Sequence, residues 1–221
     1  MATFLELANR VASDSGTVTG ETSFSTVVGV TGRLAKIKRW TQEAHRQIQN
    51  AHRNWNWLQS EFTGALSSAD AEYAGTDFTD VLTAAAITRF SSFIHSGDRT
   101  EDRYKIYLTA SGVATAGRLR FLPWRDFYST RMNTGAANAF PSFFTIDPRG
   151  VLRVSPTPDA AYTVLGPYRK SAQDLTLDAD TPEMPVDFHD LVTVFALKLL
   201  ATHDEAPVQI PLWEMRKNAD F

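Results

Sequence analysis

The sequence predicts an α+β fold: a small helical bundle with one long spine helix, and a β-rich antiparallel insertion between the terminal helices. Apolar side chains recur at helical spacing in residues 31–58, and residues 191–200 are almost continuously apolar. The stretch between them is rich in β-branched and aromatic residues broken by glycines. The expected divisions are N-terminal helices (1–59), a β-rich insertion (60–170), a C-terminal helix with an acidic lead-in (171–205) and a tail (206–221).

The first helix is predicted to begin after Thr3. Thr3 is a favoured N-cap residue, and Glu6 follows at the capping-box spacing. Residues 14–32 are rich in Gly, Thr and Ser, so we expect the helix to end before Gly16. Its narrow apolar stripe consists of Phe4, Leu7 and Val11.

The spine helix is predicted by apolar residues at steps of three and four from Leu34 to Leu58. At 1.5 Å per residue it would be roughly 37 Å long. Its last turn carries Trp55 and Trp57, whose indoles would point in different directions. We therefore expect one indole in the core and the other covered by a partner surface.

The insertion is predicted to hold short antiparallel strands and one short helix over residues 123–133, which start with proline. Residues 147–150 (Asp-Pro-Arg-Gly) fit a type I turn with glycine in a left-handed position, so a hairpin is expected there. Pro156 and Pro158 precede the next strand and indicate that it lies at a sheet edge.

Composition restricts the function classes. The chain has no cysteine, which excludes disulfides, thiolate zinc sites and cysteine nucleophiles. Its net charge of −3 is unlike that of a dedicated DNA-binding protein. The longest apolar stretch is broken by Thr193 and Lys198, so no membrane span is expected. With no Gly-rich phosphate loop and no nucleophile elbow, we predict no catalytic, metal-binding or cofactor-binding residue and no enzyme.

One histidine leaves an enzymatic alternative open. His189 stands beside Asp187 and Asp190, an arrangement that could form an acid–base pair in a hydrolase. Carboxylates at a helix N-terminus explain the two aspartates without catalysis, because they complement the helix dipole.

Charge is distributed unevenly along the chain. Residues 31–58 hold six basic side chains and one acid, whereas residues 171–190 hold six acids and no Lys or Arg. The basic residues of 31–58, called the basic stripe here, are Arg33, Lys36, Lys38, Arg39, Arg46 and Arg53. This stripe could be a solvated face or could contact phosphates or an acidic partner. The two segments could neutralise each other within one chain or meet across copies, as in a ring. The candidate subunit-interface residues are Arg39, Arg46, Arg53, Asp174, Asp178 and Asp180.

Four segments together carry a family resemblance: FLELANRVASDSG, TVVGVTGRLAKIKRWTQEAHRQIQNAHRNWNWL, SPTPDAAYTVLGPYRK and DLTLDADTPEMPVDFHDLVTVFALKLLATHDEAP. They follow one another along the chain between residues 4 and 207. Their more specific features are the W-x-W at the end of the long helix, the P-x-P strand entry and the D-x-D-x-P-x-x-P lead into the last helix. With these features the chain resembles the adaptor (head-to-tail connector) proteins of tailed bacteriophages.

The resemblance implies a structural virion protein without catalytic residues or cofactors. Such adaptors form a dodecameric ring below the portal, extend the DNA channel and dock the tail. The implied partners are the portal protein, a tail or nozzle protein, further copies of the chain, and genomic DNA that passes without sequence specificity. The implied location is the virion neck at the head–tail junction, reached after assembly in the host cytoplasm.

Adaptors of this kind commonly send a C-terminal segment into the portal, which here corresponds to residues 206–221. A tail folded back on its own bundle is the alternative. Two other functions also remain: a DNA-binding regulator using the basic helix 33–53, or another virion component such as a tail-tube or head-completion protein. The candidate portal-binding residues are Ile210, Leu212, Trp213, Met215 and Phe221.

Overall fold

The structure, a computed structural model, describes residues 1–16, 23–52, 54–95, 103–132 and 137–203. The chain divides into two compact units. The first comprises Met1–Trp57 and the chain from Ala172 onward, and the second comprises Leu58–Ser171. Helices of the first unit are α1 (Phe4–Asp14), α2 (Gly32–Ala51) and α4 (His189–His203), and the second unit holds α3 (Trp124–Thr130).

The described residues of the second unit also form ten strands. They are β1 (Gln59–Leu66), β2 (Glu72–Tyr73), β3 (Thr79–Asp80), β4 (Phe90–Phe93), β5 (Lys105–Leu108), β6 (Gly117–Arg118), β7 (Arg120–Phe121), β8 (Phe143–Ile146), β9 (Leu152–Ser155) and β10 (Tyr162–Lys170).

Helix α1 begins as its sequence predicts. The Thr3 hydroxyl accepts a hydrogen bond from the Glu6 backbone N–H at 3.2 Å, and the Glu6 carboxylate accepts one from the Thr3 N–H at 2.9 Å. This reciprocal pair is the predicted capping box, which satisfies two donors that a helix start leaves open. The helix ends at Asp14, before Gly16, and its apolar stripe is buried.

Helix α2 is shorter than predicted. It ends at Ala51, and the next residue, His52, has an extended backbone. The Trp55 indole N–H folds back and donates to the Ile48 carbonyl at 3.0 Å, so a side chain satisfies one of the last open carbonyls of the helix. Trp55 fits the helical spacing of apolar residues although it lies beyond the end of α2. It does so because its side chain folds back onto the last turn of the helix.

The core of the first unit lies between α1, α2 and α4. Helix α4 is buried on most sides, as its nearly continuous apolar sequence predicts. A short 3₁₀ turn, Val186–Phe188, leads into it. Fully or almost fully buried apolar residues of this core include Phe4, Leu7, Val11, Ile37, Ala44, Ile48, Leu191, Val192, Leu197 and Leu200.

The predicted small helical bundle with one long spine helix is wrong as a description of the fold. The fold is α+β and β-rich, and the strands of the described residues, ten in number, form two sheets. One has the order β3-β1-β10-β5-β6, with β4 also paired to β10, and the other has the order β2-β9-β8-β7. Strands β7 and β8 pair in parallel, so the insertion is not purely antiparallel. Helical periodicity in a sequence indicates which residues form an apolar helix face. It does not indicate which strands pair with each other over long distances in the chain.

Strand β10 is central, although its prolines indicated an edge. It pairs with β1 from Tyr162 to Arg169, and on its other side it pairs first with β5 and then with β4. Pro156 and Pro158 precede the strand. Pro167 lies inside it, between the segment paired to β5 and the segment paired to β4. Because the ladder is interrupted there, the missing N–H of proline costs no hydrogen bond.

The β8–β9 hairpin and helix α3 confirm two local predictions. Asp147 and Val151 close the turn through a backbone hydrogen bond of 2.9 Å, and Gly150 has φ +78°. The buried Asp147 carboxylate accepts the N–H groups of Arg149 at 2.8 Å and Val151 at 3.0 Å. The carboxylate therefore takes the place of water as the acceptor for two backbone N–H groups of the turn, and this stabilises the hairpin.

Gly166, in the middle of β10, leaves room for an aromatic core. A Cβ on this residue would lie 2.6 Å from the Tyr104 ring and 3.0 Å from the Phe62 ring. Both rings are fully buried, and Phe62 is the cross-strand partner of Gly166. The absence of a side chain thus permits the close packing that joins β10 to β1 and β5.

Candidate functional site

A polar face of α2 holds the extended segment that follows β10. Gln42 donates to the Leu175 carbonyl at 2.6 Å, and Gln49 both donates to the Gln173 carbonyl at 3.0 Å and accepts the Gln173 N–H at 2.7 Å. The side-chain amide of Gln49 therefore satisfies both backbone groups of one residue. Spacings of four and three place Gln42, Arg46 and Gln49 on one side of the helix.

Arg46 and Asp174 complete this contact. Their side chains form an ion pair of 2.7 Å within one chain, and both are exposed. The hydrogen bond to Asp174, with its charge, raises the pKa of Arg46. Glu43 lies 3.4 Å from the same guanidinium. An exposed pair adds little stability, about 0–1 kcal/mol. It does show that the basic stripe and the acidic lead-in meet in the same subunit at this point.

The other two predicted interface aspartates stabilise their own chain. Asp178 accepts the Val27 N–H at 2.6 Å. Asp180 accepts the N–H groups of Thr176 at 2.6 Å and Leu177 at 2.8 Å, and these backbone hydrogen bonds lower its pKa. The backbone carbonyls of both aspartates accept the first two N–H groups of α1. The acidic lead-in is therefore a folded connection with a structural use for each of these carboxylates.

Three basic side chains in the N-terminal half of α2 differ from Arg46, which pairs with Asp174. Arg39 and Lys36 are exposed and Lys38 is half-buried. Among the described residues, none of the three forms an ion pair with a carboxylate. The Arg39 guanidinium lies 5.0 Å from the centroid of the Trp40 ring. This basic patch, Lys36 with Lys38 and Arg39, is the part of the predicted stripe that the chain leaves available. Arg53 lies outside the described residues.

Trp55 and Trp57 stack on each other with a centroid distance of 4.3 Å, and both contact Phe188. Both residues are half-buried. The Trp57 indole N–H is buried and has no hydrogen-bond partner. The two indoles cover each other within the chain, and a partner surface over them stays a prediction.

His189 has a structural position. It is buried, its Nδ1 accepts the Ala2 N–H at 3.3 Å, and its Nε2 lies 3.2 Å from the Met184 carbonyl. Accepting at Nδ1 implies the tautomer that donates from Nε2. Both ring nitrogens are thus engaged with backbone groups.

Sequence reasoning missed Gln42 and Gln49. Glutamine on a helix usually indicates a solvated face, whereas Gln49 is 3% exposed. The available signal was its position at the border of the apolar side of α2, next to Ile48 in the sequence. The five predicted portal-binding residues, Ile210, Leu212, Trp213, Met215 and Phe221, lie outside the described residues.

Replacing Gln49 by leucine is expected to lower the free energy of unfolding by about 1–3 kcal/mol, because two part-buried backbone groups of Gln173 lose their hydrogen-bond partners. Chemical denaturation measures this loss. Gln47→Leu, on the exposed face of the same helix, is the matched control and should change stability by less than about 0.5 kcal/mol. Equal effects of the two substitutions would contradict a special role of Gln49.

Within the described ranges, no group of three or more His, Cys, Asp or Glu side chains could hold a metal ion. None of the described helices has the length and apolar character that crossing a membrane requires. A family model described as "SU10 adaptor protein" matches residues 2–220. The search of curated proteins gives no match.

Proposed function

This chain belongs to the SU10 adaptor protein family, a family of phage head–tail adaptors, and we propose that it is the adaptor subunit between portal and tail. The observation that carries the proposal is the match over residues 2–220, which spans nearly the whole chain and both structural units. Family membership implies a component of the virion that associates with other phage structural proteins. It also confirms the resemblance given by the sequence.

The proposed role is structural and not enzymatic. His189, the one residue for which catalysis was considered, has both ring nitrogens engaged with backbone groups. The polar contacts along α2 join the chain to itself: the side chains of Gln42, Arg46 and Gln49 hold residues 173–175. Such internal contacts suit a particle component that must keep its shape when its neighbours bind.

The proposed assembly is a dodecameric ring at the neck of the virion. Copies would associate head to tail, so that one surface of a subunit faces a different surface of the next. The basic patch on α2 supports such a contact, because Lys36, Lys38 and Arg39 have no carboxylate partner among the described residues. We assign its partner to the acidic lead-in of the neighbouring copy. Asp174, Asp178 and Asp180 would keep the contacts that they make within their own chain, and their negative charge would attract the basic patch across the subunit boundary.

The ring would extend the DNA channel of the portal and dock a tail or nozzle protein. A weakly charged channel wall suits passing DNA, since strong phosphate binding would hold the genome back. The portal contact is assigned to residues 206–221. The subunit would join the particle after folding in the host cytoplasm.

Reversing one charge tests the lateral contact. Arg39→Glu is expected to reduce incorporation into particles about tenfold or more, because opposite charges become like charges across the subunit boundary. Quantitative immunoblotting of purified particles measures incorporation. Arg46→Gln serves as the control, because Arg46 already has Asp174 as its partner within the chain. Unchanged incorporation of a folded Arg39→Glu protein would contradict the lateral assignment.

A further inference from the structure

The two sheets of the second unit end on two opposite sides. Strand β6 is an edge of one sheet and β7 is an edge of the other, and these two strands are neighbours in the chain. The opposite edges of the same sheets are β3 and β2. Each of these four strands is two residues long, and such short edges give another chain little backbone to pair with. A partner on either side would therefore be recognised mainly by side chains.

Charge differs between these two sides. Residues 103–131, which include β5, β6 and β7, hold six basic side chains and one acid. With residues 98–102, which lie outside the described residues, basic side chains still outnumber acids by seven to four. Residues 54–88, which include β2 and β3, hold five acids and no Lys or Arg. The basic edge is defined here as Arg103, Lys105, Arg118 and Arg120, and the acidic edge as Asp70, Glu72 and Asp77.

The basic edge places like charges side by side on adjacent strands. Lys105 and Arg118 are direct cross-strand partners, and the Leu119 N–H donates to the Tyr104 carbonyl at 3.0 Å, which extends the same pairing. All four basic residues of the edge are exposed, whereas Tyr104 and Leu119 between them are fully buried. This alternation puts the four cations on one face. Because like charges directly opposite each other destabilise a sheet, stability alone does not favour the arrangement.

Two exposed carboxylates of the acidic edge are held in place by their own loop. Asp70 accepts the Glu72 N–H at 3.1 Å, and Asp77 accepts the Ala74 N–H at 2.7 Å. Within the described ranges neither carboxylate pairs with a cation. Glu72, by contrast, is paired with two arginines of its own chain. Asp70 and Asp77 are therefore the two acids of this edge whose charge is available to a partner.

The two edges do not neutralise each other within one chain. Neighbouring strands lie about 4.8 Å apart, so the three spacings from β2 to β7 and the four from β3 to β6 separate the edges by roughly 14–19 Å. Salt screens exposed charges beyond about 8 Å under physiological conditions. Lys105 and Arg120 also form no ion pair in the part of the chain that the structure describes. Each edge thus keeps its charge for another molecule.

We propose that the basic edge of one copy contacts the acidic edge of the next copy, so that the second unit supplies a lateral contact of its own. The inference rests on the proposed function, because the ring is what brings copies side by side. A two-fold dimer through either edge would place like charges together, whereas head-to-tail association places opposite charges together. A contact between two different surfaces is the kind that closes into a ring.

Two charge-reversed proteins test the contact. Lys105→Glu with Arg120→Glu makes both edges acidic, and Asp70→Lys with Asp77→Lys makes both edges basic. Each full-length variant is supplied to phage that lacks its own copy of the chain, and quantitative immunoblotting measures its amount relative to the portal protein. Each variant alone should be incorporated at least about tenfold less than the wild type. Supplied together, the two should alternate around the ring, which restores incorporation of both in equal amounts.

Two further variants separate charge from folding. Lys105→Arg with Arg120→Lys keeps the charge of the basic edge and should be incorporated within about twofold of the wild type. Asp70→Asn with Asp77→Asn keeps an oxygen that can accept the backbone N–H and removes only the charge, so this variant should also be incorporated less than the wild type. Because all four side chains are exposed, the variants should melt close to the wild type.

The outcomes separate the inference from its premise. If the wild type is incorporated and the folded Lys105→Glu, Arg120→Glu protein alone is incorporated equally well, the edge contact is wrong and the proposed function stands. If the two folded variants fail alone and also together, the basic edge meets a different partner, such as nucleic acid, and the assigned second copy is overturned. If the wild type itself is absent from purified particles, the proposed function is wrong and the inference is wrong with it.

Discussion

Replacing Asp80 by alanine is expected to lower the free energy of unfolding by about 3–5 kcal/mol. The substitution leaves the hydroxyls of Ser60 and Tyr168 without their acceptor. The backbone N–H groups of Leu82 and Thr83, in the turn that follows β3, lose the same carboxylate. Each buried polar group without a partner costs ~1–3 kcal/mol. Equilibrium denaturation followed by fluorescence measures the loss.

Asp80→Asn is the matched control for this substitution. The amide oxygen can still accept the N–H groups of the turn, and the amide nitrogen can donate to the two hydroxyls. The loss should therefore be at most about half that of the alanine variant. Equal stability of wild type and Asp80→Ala would show that the carboxylate does not hold the turn.

The same carboxylate predicts a pH dependence. Burial alone would raise the pKa of Asp80, but hydrogen bonds from Ser60, Tyr168 and the turn backbone outweigh burial and lower the pKa to about 2. An unfolded aspartate titrates near about 3.9. Because the folded-state pKa is the lower one, the stabilisation is complete above the unfolded pKa and is lost as pH falls toward 2. Between pH 5 and 2 the wild type should lose stability more steeply than Asp80→Asn.

Deleting residues 206–221 is expected to abolish binding to the portal and to leave the protein folded. The deleted stretch carries the five apolar side chains assigned to the portal contact, and it lies outside the described part of α4, His189–His203. A few buried aromatic and aliphatic anchors usually supply most of a binding energy, so binding should weaken by more than about 100-fold. Co-purification with tagged portal protein measures it.

A double substitution tests whether the side chains of residues 206–221, and not the length of this segment, make the portal contact. Trp213→Ala combined with Phe221→Ala keeps all 221 residues and removes the two largest apolar side chains of the tail. It should lose most of the portal binding, and melting temperatures of both variants should stay within about 2 °C of the wild type. A truncated protein that still co-purifies with the portal would show that the portal contact lies elsewhere in the chain.

Features encoded over a few residues were predictable from the sequence. The Thr3–Glu6 capping box, the turn at Asp147 and the burial of α4 each depend on side chains close to one another in the chain. In such cases the residue that supplies the hydrogen bond or the apolar face stands within one turn of the backbone that it stabilises. The spacing of the residues in the sequence is then sufficient to predict the local structure.

Features that depend on distant residues were not predictable. The end of α2 depends on Trp55 folding back onto Ile48, which preserves the helical spacing and so conceals the end of the helix. The central place of β10 depends on where β4 and β5 pair with it, and Pro167 occupies the gap between them. A sequence pattern contains neither contact, which is why the β-rich, two-sheet architecture was underestimated.

The candidate subunit interface stays a prediction. The sequence identified complementary charge but could not decide whether it meets within a chain or between chains. Arg46 and Asp174 meet within the chain, and Asp178 and Asp180 accept hydrogen bonds from their own backbone. Arg39, with Lys36 and Lys38, stays available. The lateral contact therefore stays a proposal, with Arg39 as the residue that tests it.

A reconstruction of intact particles without imposed symmetry would show where this chain lies. We expect a dodecameric ring of this chain between portal and tail, with residues 206–221 against the portal and the basic patch of each copy facing the acidic lead-in of the next. Particles in which this chain is absent, or in which it lies away from the head–tail junction, would overturn the proposed function.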